Sequence, residues 1–199
     1  MYELPKSITI KDKEYPIRND GDYRMVLDCF SALQDTELSE QERVIVSLAI
    51  FYNDVLSLDT LDNVFNEDNI EEAVQKMYDF FMCNDTHNTS NVQYKLIDWE
   101  QDEQMIVSAI NKVAGTEIRA VPYMHWFTFV GYYGSVGRST LSTVVEIRSK
   151  LKKGKKLEKY EQEFRRDNPQ YFVWNDKRTE DKELDDMIRA MWNQSGKEE

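Results

Sequence analysis

The sequence predicts a mainly α protein: a single helical domain with an N-terminal β-hairpin and a C-terminal helix. Glycine (7) and proline (4) are scarce among the 199 residues, which disfavours turn-dense β architectures and repetitive chains. Strict apolar/polar alternation is confined to the first 18 residues, and apolar positions beyond them recur at helical spacing. With 41% hydrophobic and 31% charged residues, the chain can bury a core, so wholesale disorder is excluded.

The hairpin covers about 7–18. Ile8 and Ile10 alternate with polar residues, as do Tyr15 and Ile17, and Lys11, Asp12, Lys13 and Glu14 supply the turn. Pro16 places its strand at an edge, because it has no N–H to give a ladder. Asp20 or Asp22 caps a first helix to about Gln34, with Met25, Val26, Cys29, Phe30 and Leu33 on one face. Ser39 and Glu42 form a capping box ahead of VIVSLAIFY, which is apolar on nearly all sides and belongs in the centre of a core. Leu58, Leu61, Val64 and Phe65 mark a short third helix. Asn69 and Glu72 repeat the cap pattern before Ile70, Ala73, Val74, Met77 and Phe81. NDTHNTSNVQ, at 84–93, is a polar loop.

Asp98 opens the next helix, which carries Ile106, Ala109, Ile110 and Val113 and ends at Gly115. Pro122 opens an aromatic helix that Gly131, Gly134 and Gly137 weaken. Ser139 caps a helix with Leu141, Val144, Val145 and Leu151 on its face, and Gly154 breaks it. A charged helix follows, anchored by Leu157, Tyr160 and Phe164 and closed by Pro169. Residues 1–167 therefore form the helical domain. Residues 168–199 are a C-terminal extension, with an amphipathic helix at about 180–193 carrying Leu184, Met187, Ile188, Met191 and Trp192.

Charge is unevenly distributed. The formal net charge is −12; residues 1–118 hold 24 Asp/Glu and 9 Lys/Arg (−15), and residues 119–199 hold 13 and 16 (+3). The first part repels nucleic acid and anionic membrane. The basic excess concentrates in 148–166, with nine basic and three acidic residues. Nucleic-acid binding through that segment is the weaker reading, because aromatic groups are not interleaved through it and no reading motif appears. A solvated helical turn, or a patch that steers an acidic partner, accounts for it better. Cys29 and Cys83 read as buried thiols in a reducing compartment. His87 and His125 stand at no metal-ligand spacing, so no metal or cofactor is expected. The N-terminus carries no signal peptide and no stretch is long enough to span a bilayer.

Catalytic signatures are missing. GYYGSVGRST lacks the lysine and spacing of a P-loop and reads as a tight helix-to-helix join. Asp98, Glu100, Asp102 and Glu103 suit a helix N-terminus better than a two-carboxylate catalyst. His125 reads as structural. No enzymatic activity is expected. The aromatic run at 123–133 has two readings: core packing, the default, or a groove that receives a partner's apolar helix.

Three blocks carry a family resemblance: YPIRNDGDYRMVLDCFSAL, LIDWEQDEQMIVSAINKVAGTEIR, and PYMHWFTFVGYY continuing through VVEIRSKLKKGKKLEKYEQEF. In them, over roughly 4–166, the chain resembles the tail assembly chaperones of long-tailed bacteriophages of Gram-positive bacteria, encoded just before the tape-measure gene. The resemblance implies a non-enzymatic role: binding the tape-measure protein and keeping it soluble in the host cytoplasm until tail-tube protein replaces the chaperone. The chaperone would be absent from the mature virion, and several copies would line one partner chain, with self-association between them. A structural tail or connector subunit is the alternative. From residue type, the contacts expected on the partner are Tyr123, Trp126, Phe127, Tyr132 and Tyr133, with Lys152, Lys153, Lys155 and Lys156 as electrostatic guides.

Overall fold

The computed structural model describes residues 3–35, 37–55, 60–66, 68–84 and 96–174. The expected helix at about 180–193, Leu58, His87 and the polar loop beyond Asn84 lie outside them. The fold is mainly helical with an N-terminal two-stranded antiparallel hairpin, as the residue spacing predicts. The chain divides into two compact units: Met1–Thr89 with Tyr123–Val130, and Ser90–Pro122 with Gly131–Glu199.

In the first unit, strand β1 (Ser7–Ile10) pairs with β2 (Lys13–Pro16), Ile8 opposite Tyr15 and Ile10 opposite Lys13. The turn is tighter than the sequence suggests. Lys11 and Asp12 alone make it, both with positive φ (44° and 65°), while Lys13 and Glu14 join the ladder. Such a mirror-image turn matches the right-handed twist of the strands. Ile10, Tyr15 and Ile17 point into the core.

Helix α1 (Tyr23–Leu33) is capped by Asp22, whose Oδ1 accepts from Arg24 N at 3.0 Å. It buries Met25, Val26, Cys29, Phe30 and Leu33 against α2 (Glu40–Phe51). The Ser39–Glu42 capping box forms as expected. Helix α2 is less enclosed than its apolar composition predicts: Arg43, Ser47, Leu48 and Phe51 are buried, but Val44, Ile45, Val46, Ala49 and Ile50 are only half covered. Arg18 closes the C-terminal end of α2. Its guanidinium donates to the carbonyls of Ala49, Ile50, Tyr52 and Val55 at 2.7–3.2 Å, satisfying oxygens that a helix end leaves without partners.

The short α3 (Leu61–Val64) leads to α4 (Ile70–Phe81), which buries Ala73, Met77, Phe80 and Phe81. The cap expected at Asn69 is not made. Its Oδ1 instead accepts from Asn66 N at 2.8 Å, satisfying the preceding turn.

In the second unit, α5 (Glu103–Ala114) starts four residues later than Asp98 suggests. Asp98 caps an earlier turn by accepting from Glu100 N and Gln101 N, and Asp102 occupies the N-cap. Gly115 ends α5 at φ 70°. Helix α6 (Trp126–Gly134) contributes its first five residues to unit one and the rest to unit two.

Helix α7 (Thr140–Lys152) has a Ser139–Ser142 capping box. It ends in a Schellman turn, with Gly154 at φ 63° and Lys155 N donating to Lys150 O at 2.8 Å. Helix α8 (Lys159–Asp167) and the 3-10 turn Pro169–Phe172 follow, the latter packed on α7 and α8. The anchoring of α8 departs from expectation: Leu157 is buried and Phe164 half-buried, but Tyr160 is 56% exposed and Glu161 lies inside.

Candidate partner-binding surface

The aromatic segment begins in extended backbone. Tyr23 N donates to Met124 O, Met124 N donates to Asp22 Oδ2 at 2.9 Å, and Asp22 bridges His125 in antiparallel fashion. These contacts hold 123–125 out of the helix, so α6 starts at Trp126 and not near Pro122.

Within unit one, Trp126 is fully buried. Its Nε1–H donates to Phe81 O at 2.9 Å, and its ring meets Phe129 and Phe30. Phe127 is half-buried on Phe80 and His125. Tyr123 is 41% exposed, and its hydroxyl donates to Asp20 O. In unit two, Tyr133 is buried with its ring 5.3 Å from Trp99, and burial pushes its phenol well above the usual range. Tyr132 is half-buried. Trp126 and Tyr133 are therefore corrected from surface contacts to core residues, since an enclosed ring has no face to offer a partner. Tyr123, Phe127 and Tyr132 keep accessible surface.

His125 is an N-cap. Phe127 N donates to its Nδ1 at 3.1 Å, and its Nε2 lies 2.9 Å from Pro5 O, which fixes the neutral ring with the proton on Nε2. Burial lowers its pKa from the usual 6.5, outweighing the hydrogen bond to Pro5. A base held neutral in the fold contributes stability that is present above pH 6.5 and shrinks as pH falls below it. Urea midpoints of the wild type should drop from pH 7.5 to 5.5, and His125→Asn should flatten that slope.

Gly21 sits against this histidine. Its φ is +78°, and a Cβ there would lie 2.9 Å from Phe80 Cζ and 3.0 Å from His125 Nε2. Gly21→Ala should destabilise by about 2–4 kcal/mol, summing left-handed strain and overpacking, read from the urea midpoint.

The basic segment 148–166 sorts into two groups. Arg148, at its start, is buried and uses all five donors: Asp102 receives NH1 and NH2 (2.5 and 3.0 Å), Leu96 O receives NH1, and Tyr171 O receives Nε and NH2. The Trp174 ring lies 4.2 Å from the guanidinium carbon. Lys150 is bound by Glu146 and by buried Glu161, at 2.8 and 2.6 Å. Burial pushes the Glu161 carboxyl up, but Lys150 and the Glu158 N–H outweigh it, and the net shift is downward. By contrast Lys152, Lys153, Lys155 and Lys156 stand exposed on the α7–α8 turn, with no ion pair among the described residues.

Residue type placed Asp102 in a helix-opening carboxylate cluster and Arg148 at the start of the basic segment, and did not pair them. A signal existed: Arg148 follows Val144 and Val145 at i+4 and i+3, and Asp102 precedes Ile106 and Ala109 at helical spacing, so both charges fall on apolar faces.

Among the described residues no cluster of His, Cys, Asp and Glu could hold a metal, and no helix is long and apolar enough to cross a membrane. Comparison with curated proteins and with solved structures finds no match. The family model described as Bacteriophage Gp15 protein matches residues 1–172. That match runs from the hairpin to the 3-10 turn whose Tyr171 carbonyl Arg148 holds, and the chain belongs to the Bacteriophage Gp15 protein family.

Proposed function

We propose that this phage protein is a non-enzymatic tail assembly chaperone. It binds the tape-measure protein in the host cytoplasm, keeps it soluble, gives it up to tail-tube protein and does not remain in the virion. The observation that carries the reading is accessible aromatic surface on a strongly acidic chain of a bacteriophage family: Tyr123 and Phe127 in unit one and, by itself, Tyr132 in unit two. Half-covered rings offer adaptable apolar contact to helices of varied sequence. The net charge of −12 keeps a coated complex in solution by mutual repulsion. The four exposed lysines steer acidic segments of the partner toward unit two.

The test is co-expression with the tape-measure protein, affinity capture and light scattering on the eluted material. A soluble complex with several copies per tape-measure chain is expected. A tape-measure protein that stays insoluble, together with this chain in purified mature particles, would overturn the reading in favour of a structural virion subunit.

A further inference from the structure

Unit one carries the whole net charge of the chain. It holds 19 Asp/Glu and 7 Lys/Arg (−12), against 18 and 18 in unit two. Six of its seven cations are engaged within the unit. Arg18 and Arg43 donate to backbone carbonyls, Lys11 donates to Asp68 O, and Lys13 lies over the Tyr15 ring. Lys6 and Arg24 pair with Asp20 and Asp22. By contrast Glu3, Asp28, Glu37, Glu40 and Glu71 are exposed, with no ion pair among the described residues. Glu40 and Glu71 stand in first helical turns and complement helix dipoles, but Glu3 and Asp28 do not. The field that unit one presents to solvent is therefore negative.

One apolar surface is built within that field. The segment Glu3–Lys6 precedes β1 and is held beside 123–127. His125 Nε2 lies 2.9 Å from Pro5 O, and Lys6 Nζ and the Tyr123 hydroxyl both donate to Asp20, at 2.9 Å each. The Phe127 ring lies 5.0 Å from the His125 ring. Leu4, Tyr123 and Phe127 are thereby gathered around His125. Among the described residues, Leu4 (43% exposed) and Tyr123 are the large apolar side chains of unit one most open to solvent. Glu3, next to Leu4, sets a free carboxylate at the edge.

We propose that this surface seats an amphipathic helix whose apolar stripe is flanked by lysine or arginine. Leu4 joins Tyr123 and Phe127 against the stripe, and the acids of unit one, Glu3 first among them, face the flanking cations. A few apolar anchors without an enclosing pocket suit a helix read at i, i+3 and i+4. The attraction between solvated charges speeds encounter and is screened by salt. A helix flanked by acids would meet the same anchors and be repelled. The inference rests on the chaperone reading for the source of such a helix, the bound partner, and adds which of its segments unit one takes.

The test uses the full chain and three synthetic peptides of about 18 residues, long enough to hold a helix. The first has a leucine stripe with lysine elsewhere, the second the same stripe with glutamate elsewhere, and the third scrambles the first so that no stripe remains. Backbone amide shifts are followed during titration. The lysine peptide is expected to move amides of 3–6 and 123–128. It should bind at least about tenfold tighter than either other peptide at about 50 mM NaCl, and its lead over the glutamate peptide should narrow at about 500 mM. Leu4→Ser changes an exposed side chain, leaves the fold intact and should weaken the lysine peptide about threefold or more. Equal binding of the glutamate or scrambled peptide, shifts confined to other surfaces, or no shift at about 1 mM peptide would overturn the inference. If the peptides fail while co-expression still yields a soluble complex, this inference falls and the chaperone reading stands. If the peptides discriminate while the tape-measure protein stays insoluble, the chaperone reading falls alone.

Discussion

Asp102→Ala is expected to destabilise the protein by about 3–5 kcal/mol, the cost of leaving a buried cation without its counter-charge. Arg148 is 5% exposed and cannot turn to water. It would keep the carbonyls of Leu96 and Tyr171 but lose both carboxylate oxygens. Asp102 Oδ2 also accepts from Asp98 N, so the turn ahead of α5 loosens with it. A loss of that size is a large part of the total stability of an ordinary domain. Arg148→Met alone should be similarly costly, since Asp102 would then be the orphan. The double variant Asp102→Leu/Arg148→Met should cost clearly less than the sum of the singles, because no buried charge remains. Its residual loss reports the carbonyls that Arg148 no longer serves. Urea denaturation of the four chains supplies the cycle, and strict additivity would rule out the coupling.

Trp126→Ala should cost about 3–5 kcal/mol by emptying the centre of unit one. The deleted ring packs on Phe129 and Phe30, and its departure strands the Phe81 carbonyl at the end of α4. Tyr123→Ala removes a half-exposed ring and a single surface hydrogen bond, and should change stability by less than about 1 kcal/mol. The pair separates packing from recognition. Denaturation midpoints should single out Trp126, whereas capture of the tape-measure protein by folded chains should single out Tyr123. A stable Trp126→Ala variant that binds poorly would reverse the assignment.

Much of the fold follows from local chemistry. The Ser39 capping box, the Ser139 cap, the Gly115 and Gly154 stops and the apolar face of α1 stand where residue type puts them, and α4, α5 and α7 bury most of the faces expected of them, although Val113 is exposed and Ile70, Val74 and Leu151 are half-buried. Each is decided within four or five residues, which is the range a helix turn reads. The candidate site was legible only in part. The aromatic run and the lysine cluster were visible as composition, but which rings face solvent was not, since period alone cannot distinguish a helix's core side from a second apolar side.

By itself, the sequence determined the class of the fold, the order of its helices and the charge asymmetry, because propensity, capping and charge are properties of short stretches. Only the tertiary structure decided the rest. It set Trp126 and Tyr133 in the core and left Tyr123 outside, held 123–125 extended through Asp22, and turned two apparently solvated charges, Asp102 and Arg148, into a buried pair. The physical reason is common to all three: each depends on a partner between 34 and 102 residues away, Trp99 for Tyr133 at the near end and Asp22 for Met124 at the far end, and no local pattern encodes which distant group fills a hydrogen bond or covers a ring.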